Sequence, residues 1–163
     1  MSNNYYSLEL PVSECFDSEL IMVESSSPFC EKEALETLAL YFKREFHYDF
    51  PAYKALSHTE PRSEHRCFLF TEVARDLFEE EKPTLYRAIG GCGFRREEYT
   101  NYLGEWLLCW VWLHPFLRHR GVLSKHWKRF ENEFGAFRIQ EPISPDMQRF
   151  LQCKQHKLRA NPT

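Results

Sequence analysis

This sequence predicts an α/β fold, a sheet covered by helices on both faces. The strongest sign is the run from Trp106 to Leu113, eight consecutive apolar residues. Both of its alternating faces are apolar, as in a strand at the centre of a sheet covered on either side. The second sign is a pair of helical stripes. Leu35, Leu38, Phe42 and Phe46 recur three and four residues apart, and so do Leu123, Trp127, Phe130 and Phe134. The third is size: 163 residues, 43% hydrophobic and 16% aromatic, suit one domain with a core of its own.

Taken in order, residues 1–29 read as an N-terminal strand and loop, 30–153 as the core and 154–163 as a loose tail. One or two extended pieces fall within residues 6–23, with Leu20-Ile21-Met22-Val23 the best strand. Ser25-Ser26-Ser27-Pro28 then supplies a loop and helix start, because serine caps free amides and proline suits a first turn. A helix follows over 31–47, with acids at its beginning. Pro51 and Pro61 break the next stretch into irregular chain. Strands are expected at 66–71, at 85–94 (loosened by Gly90, Gly91 and Gly93) and at 105–113, the last two joined by a turn at Asn101–Gly104. On the last strand, alternation places Glu105, Leu107, Cys109, Val111 and Leu113 on one face, and Trp106, Leu108, Trp110 and Trp112 on the other. His114-Pro115 ends it. A helix over 121–134 stops at Gly135, a short strand covers 137–140, and Ser144 caps a last helix with Pro145 in its first turn.

Composition excludes several classes. The apolar run is far short of the roughly 20 residues needed to cross a bilayer. MSNNYYSLEL lacks the charged start and apolar stretch of a secretory signal, so a cytoplasmic protein with no membrane role is expected. The six cysteines show no CxxC pair and read as reduced, mostly buried thiols. His114, His119 and His126 suit no common metal site. A pI of about 6.2 argues against nucleic acid, and Trp106, Trp110, Trp112 and Trp127 are spaced for a core rather than for base stacking. Gly90-Gly91-Cys92-Gly93 lacks the Lys-Ser/Thr of a P-loop. Charge is split: residues 1–81 carry 17 acids and 7 bases, residues 82–163 carry 7 acids and 14 bases. Either the halves face different ligands or they interleave in space and cancel.

The chemistry-bearing segment is strand, loop, helix at 106–127. A helix start leaves backbone N–H groups unpaired, Gly121 lets a ligand approach, and Arg118, Arg120 and Lys125 add positive charge. Phosphate or pyrophosphate suits such a place. The alternative is an ordinary strand-to-helix turn with surface arginines.

The segment Trp112-Leu113-His114-Pro115-Phe116-Leu117-Arg118-His119-Arg120-Gly121-Val122-Leu123 resembles the core motif of the GNAT superfamily of acyl-CoA N-acyltransferases. In that motif a strand ending in V/L-H-P is followed by [Q/R]-x-x-G-x-[G/A] and a helix. Arg118 and Gly121 match, and the order of elements over 30–153 fits. The resemblance implies a twisted mixed sheet splayed at the 105–113 strand. It also implies acetyl transfer from acetyl-CoA to a primary amine by direct attack, the acceptor being a protein lysine or a cationic small molecule. The implied cofactor-binding set is Leu113, His114, Arg118, His119, Arg120, Gly121, Val122, Leu123 and Ser124. Amides of 120–124 would hold the pyrophosphate, Arg118 and Lys125 would screen it, and Leu113 and His114 would pair with the pantetheine arm. Glu105, at the start of the same strand on the face of Leu107 and Val111, is the candidate general base; an exposed acid at a strand edge is the alternative. Glu97, Glu98 and His114 are its rivals. Acids such as Glu72, Glu79, Glu80 and Glu81 would steer a cationic acceptor.

The sequence departs from the motif in three ways. Leu123 stands where the family has glycine or alanine, no tyrosine follows Tyr102 to protonate the leaving thiolate, and the chain after the last helix is short. Ser144 and Cys153 fall near the place of that tyrosine. A shortened sheet, or one completed by a second copy as a homodimer, is therefore implied. The other reading is a catalytically silent GNAT-like module that binds acyl-CoA or a protein.

Overall fold

The computed structural model describes residues 8–49, 51–55, 64–97 and 104–154. Its strands are β1 (Val12–Ser13), β2 (Leu20–Val23), β3 (His65–Val73), β4 (Tyr86–Arg96), β5 (Trp106–Leu113) and β6 (Arg138–Ile139). Three helices, α1 (Phe29–Phe46), α2 (Val122–Phe134) and α3 (Pro145–Cys153), complete the α/β fold. The six strands make one sheet in the order β2-β3-β4-β5-β6, with β1 paired to β4. Every pairing is antiparallel except that of β5 with β6. Among the described residues no helix is long and apolar enough to cross a membrane.

Helices cover both faces, as the two-sided apolar strand requires. On one face Ala34, Leu35, Leu38 and Ala39 of α1 pack with Cys67, Leu69, Trp110 and Trp112. On the other, Trp127, Phe130 and Phe134 of α2 and Leu151 of α3 pack with Phe68, Phe70, Phe94 and Leu108. Phe94 stacks on Phe134 at 4.1 Å between ring centroids. Ser144 caps α3 as expected, its Oγ accepting the Met147 N–H at 3.1 Å.

Three expectations are corrected. The first concerns β5, where strict alternation fails. The register with β4 shifts between Gly93 and Phe94, leaving Cys109 as an extra residue opposite no partner. Cys109, Trp110 and Trp112 therefore join the α1 side, while Leu108, Val111 and Leu113 join the α2 side. Leu107, between Trp106 and Leu108, does not share a face with Val111. The second concerns β4. At 11 residues it is the longest strand, and its glycines fit it to its neighbours rather than loosen it. A Cβ on Gly93 would lie 2.3 Å from Trp110 Nε1, so only glycine admits the indole there.

The third concerns the thiols. Cys15 and Cys30 form a disulfide, which joins the turn after β1 to the first turn of α1. The two lie 15 positions apart with a whole strand between them, so spacing alone could not announce the pair. With that bond in place, the cysteines no longer point to a reducing compartment. Cys67, Cys92, Cys109 and Cys153 are free, and burial pushes the Cys67 thiol up to about 12 and the Cys109 thiol up to about 11.

The charge halves interleave. Glu19 pairs with Lys125, Glu45 with Arg118, Glu64 with Arg96 and Asp76 with Arg87, each joining the acidic half to the basic one. The turn expected at Asn101–Gly104 lies largely outside the described residues. Gly104 is described, with φ 82°, its N–H donating to the Glu97 carbonyl at 2.9 Å.

Two outcomes follow from this packing. Iodoacetamide at neutral pH is expected to label exposed Cys153 quickly and half-buried Cys109 slowly, with Cys67 and Cys92 labelled only on unfolding and Cys15 and Cys30 only after reduction; peptide mass spectrometry reads the order. Gly93→Ala is expected to cost about 1–3 kcal/mol in a urea titration, since its methyl must displace a packed indole.

Candidate functional site

The site begins where two strands part. β6 pairs with β5 only at Leu107 and Leu108, and the Gln140 N–H makes one more bond, to the Leu108 carbonyl at 2.9 Å. Beyond that point the bulge at Cys109 turns β5 away, while Pro142 turns the other chain aside. β5 stays bonded to β4 on its opposite edge as far as the His114 N–H, which donates to the Ile89 carbonyl at 2.9 Å. In an antiparallel ladder, bonding groups alternate between edges. With Trp112 and His114 turned to β4, the N–H and C=O of Val111 and the N–H of Leu113 face the gap.

Arg118 holds the end of this open edge. Its Nε–H donates to the Leu113 carbonyl at 2.9 Å, and its two terminal nitrogens donate to both carboxylate oxygens of Glu45, at 2.9 and 2.6 Å. The same carboxylate accepts the Trp112 indole N–H at 3.2 Å, and the guanidinium lies 6.0 Å from the Trp112 ring. One acid in the last turn of α1 thus fixes the end of β5 and the loop that follows it. Arg118 is consequently a strut, not a free charge for screening phosphate. Lys125 is likewise engaged, by Glu19.

The loop itself carries the remaining expected residues. His114 is buried, and its Nδ1 accepts the Phe116 N–H at 3.1 Å, capping a 3-10 turn at Pro115–Leu117. His119 is exposed, with φ 61° and Nε2 3.6 Å from Asp146 at the start of α3. Arg120 is exposed. Gly121, with φ 81°, is the N-cap of α2, and nothing stands within 4 Å of where a Cβ would be. Ser124, Leu123 and Val122 form the first turn of α2. Val122 and Leu123 pack their side chains against the α2-side core, so the bulk of Leu123 goes inward. The first amides of α2 have no partner within the helix, and none of residues 113–124 lines the cleft that reaches the gap.

On the α1 face a cleft of about 1390 Å³ runs from the end of α1 across the sheet to the gap, where Val111, Ile139 and Gln140 line it. Glu105 is not among its lining residues. It sits at the other end of β5, about 30 Å of strand from His114, and its carbonyl accepts the Glu97 N–H at 2.8 Å. Glu97 is held between Arg95 and Arg138 at 3.5 and 3.7 Å, and Glu98 lies outside the described residues. Of the candidate bases only His114 lies in the loop at 113–124, its Nδ1 accepting the Phe116 N–H, and Glu105 and Glu97 are not with it. Glu72, Glu79, Glu80 and Glu81 do not line the cleft either.

The titratable groups that do line it include Glu24, Glu64, His65, Tyr53 and Glu141. They come from separate segments, so no local motif could have marked them. Burial raises the Tyr53 phenol, and with the Cys109 thiol raised too, both are protonated at neutral pH.

Glu45→Ala is expected to cost about 1–3 kcal/mol, because it strands a half-buried guanidinium and an indole N–H. With Arg118→Ala the losses should not add, and a double-mutant cycle in urea should show coupling of about 1 kcal/mol. Compared with known proteins, the chain matches no family model, and no curated protein matches it.

Proposed function

We propose that this chain is a GNAT-type N-acetyltransferase that moves an acetyl group from acetyl-CoA to a primary amine. The observation that carries the reading is the parting of β5 from β6, on the strand that leads through one short loop to the start of α2. That geometry offers an extended edge for a linear amide-bearing ligand and, one loop further along the chain, the N–H groups of a helix start. The resemblance of residues 112–123 to the GNAT motif supports the same ligand.

On this reading the pantetheine arm bonds to the main chain of Val111 and Leu113, and the pyrophosphate lies at the amides of Gly121, Val122, Leu123 and Ser124 with Arg120 beside it. An amide on the β5 edge polarises the thioester carbonyl. The amine enters through the cleft on the α1 face. Its nitrogen attacks the carbonyl carbon; the C–N bond forms as the C–S bond breaks, and the acceptor's proton leaves while the CoA thiolate takes one up. Cleft groups or water serve as the base, since Glu105 stands too far off. A second copy completing the sheet at the two-residue strand β6 is the homodimer this reading allows.

One observation favours the catalytically silent alternative. Among the described residues no candidate base from 97–114 lines the cleft, and no tyrosine follows Tyr102. Binding of acyl-CoA without transfer would then be the function.

Calorimetric titration separates these outcomes. Acetyl-CoA is expected to bind at micromolar concentration, and Ser124→Glu to weaken it about tenfold or more by placing a carboxylate among the phosphate-facing amides. The same substitution should leave folding stability unchanged or slightly raised, since an acid suits a helix start. Absence of acetyl-CoA binding in the parent chain would sink the proposal. Binding without thiol release in the presence of any amine would favour the silent module.

A further inference from the structure

The far end of the cleft carries two aromatic rings, Phe46 and Tyr48, that stand outside the buried core. α1 ends at Phe46, where His47 takes the left-handed conformation with φ 59° and ψ 41°. The Tyr48 N–H then donates back to the Lys43 carbonyl at 3.1 Å. This reversal lays Tyr48 on Phe42, with centroids 5.2 Å apart and planes 18° apart. Phe42 in turn meets Phe46 at 5.1 Å and Trp110 at 5.7 Å. Trp110 is buried as the floor, whereas Phe46 and Tyr48 are 44% and 45% exposed on the cleft wall. Aromatic surface left in water inside a concave site gains free energy when a flat apolar group covers it.

Charge in the cleft points the same way. Of its lysines and arginines, Lys32 is answered by the Ser25 carbonyl, Arg66 by Glu133 at 2.6 Å and Arg95 by Glu97 at 3.5 Å, while Lys54 is exposed. Glu24 and Glu141 are exposed carboxylates on the lining. A cationic guest thus meets acids and rings, with Arg66 and Arg95 already paired to carboxylates. The same cleft ends at Val111, on the open edge of β5.

We infer that this cleft is an acceptor subsite selecting a primary amine carried on a planar aromatic group, which lies against Phe46 and Tyr48. Its role as acceptor rests on the acyl-transfer reading above; its affinity for the ring does not. Polyamines and lysine side chains, which lack a flat apolar face, are the poorer guests.

The test uses the full chain and three probes, 2-phenylethylamine, n-propylamine and spermidine, titrated without acetyl-CoA and followed by tryptophan fluorescence and calorimetry. 2-Phenylethylamine should bind about tenfold more tightly than n-propylamine. Phe46→Ala and Tyr48→Ala should each remove most of that advantage. Both side chains are half exposed, so circular dichroism should show the variants folded. Equal binding of the two monoamines, tighter binding of spermidine, or indifference to both substitutions in folded protein overturns the inference. A second arm adds acetyl-CoA and follows thiol release. Thiol release with spermidine but not 2-phenylethylamine overturns the aromatic subsite and leaves acetyl transfer standing. Ring binding with no thiol release from any amine does the reverse.

Discussion

A single extra residue in β5 governs much of this molecule. Cys109 has no partner on β4, and a bulge there reverses which side chains face which layer. Downstream of it Trp110 and Trp112 turn to α1, and Val111 and Leu113 turn to α2. Gly93 makes the arrangement possible by leaving room for the Trp110 indole. The added twist also carries β5 away from β6 after two paired residues, which opens the gap. Core packing, the open strand edge and the floor of the cleft are therefore consequences of one local irregularity.

An opened strand end needs to be held, and here an ion pair holds it. Glu45 and Arg118 are separated by 73 residues and meet in a two-pronged contact that also takes in Trp112 and the Leu113 carbonyl. Two parallel N–H···O bonds orient the guanidinium plane more firmly than a single contact does. The pair joins α1 on one face to the loop leading into α2 on the other. It also withdraws Arg118 from the solvent-facing role its place in the motif implies, leaving backbone amides and Arg120 as the positive features near Gly121.

The proposed acetyl transfer and the proposed aromatic acceptor subsite occupy the two ends of one cleft. At the gap, main-chain groups of β5 suit an amide-bearing partner, and the start of α2, one loop further along the chain, suits its phosphate. At the end of α1, rings and acids suit a cationic aromatic one. The two meet near Val111, where sheet twist rather than a motif residue brings them together.

The sequence by itself determined the elements. Apolar periodicity marked α1, α2 and β5 because burial of one stripe or of both faces writes itself into spacing, and Ser144-Pro145 marked the start of α3 through local capping chemistry. The loop at 118–124 was legible for the same reason: a glycine N-cap and its first turn are local features. Tertiary structure alone decided the rest. The bulge at Cys109 depends on which residue of β4 lies opposite, and the Cys15–Cys30 bond and the Glu45–Arg118 pair depend on meetings between distant segments. The aromatic wall depends on a helix end folding back over Phe42. Such contacts are long-range, and long-range proximity leaves no period in a single chain.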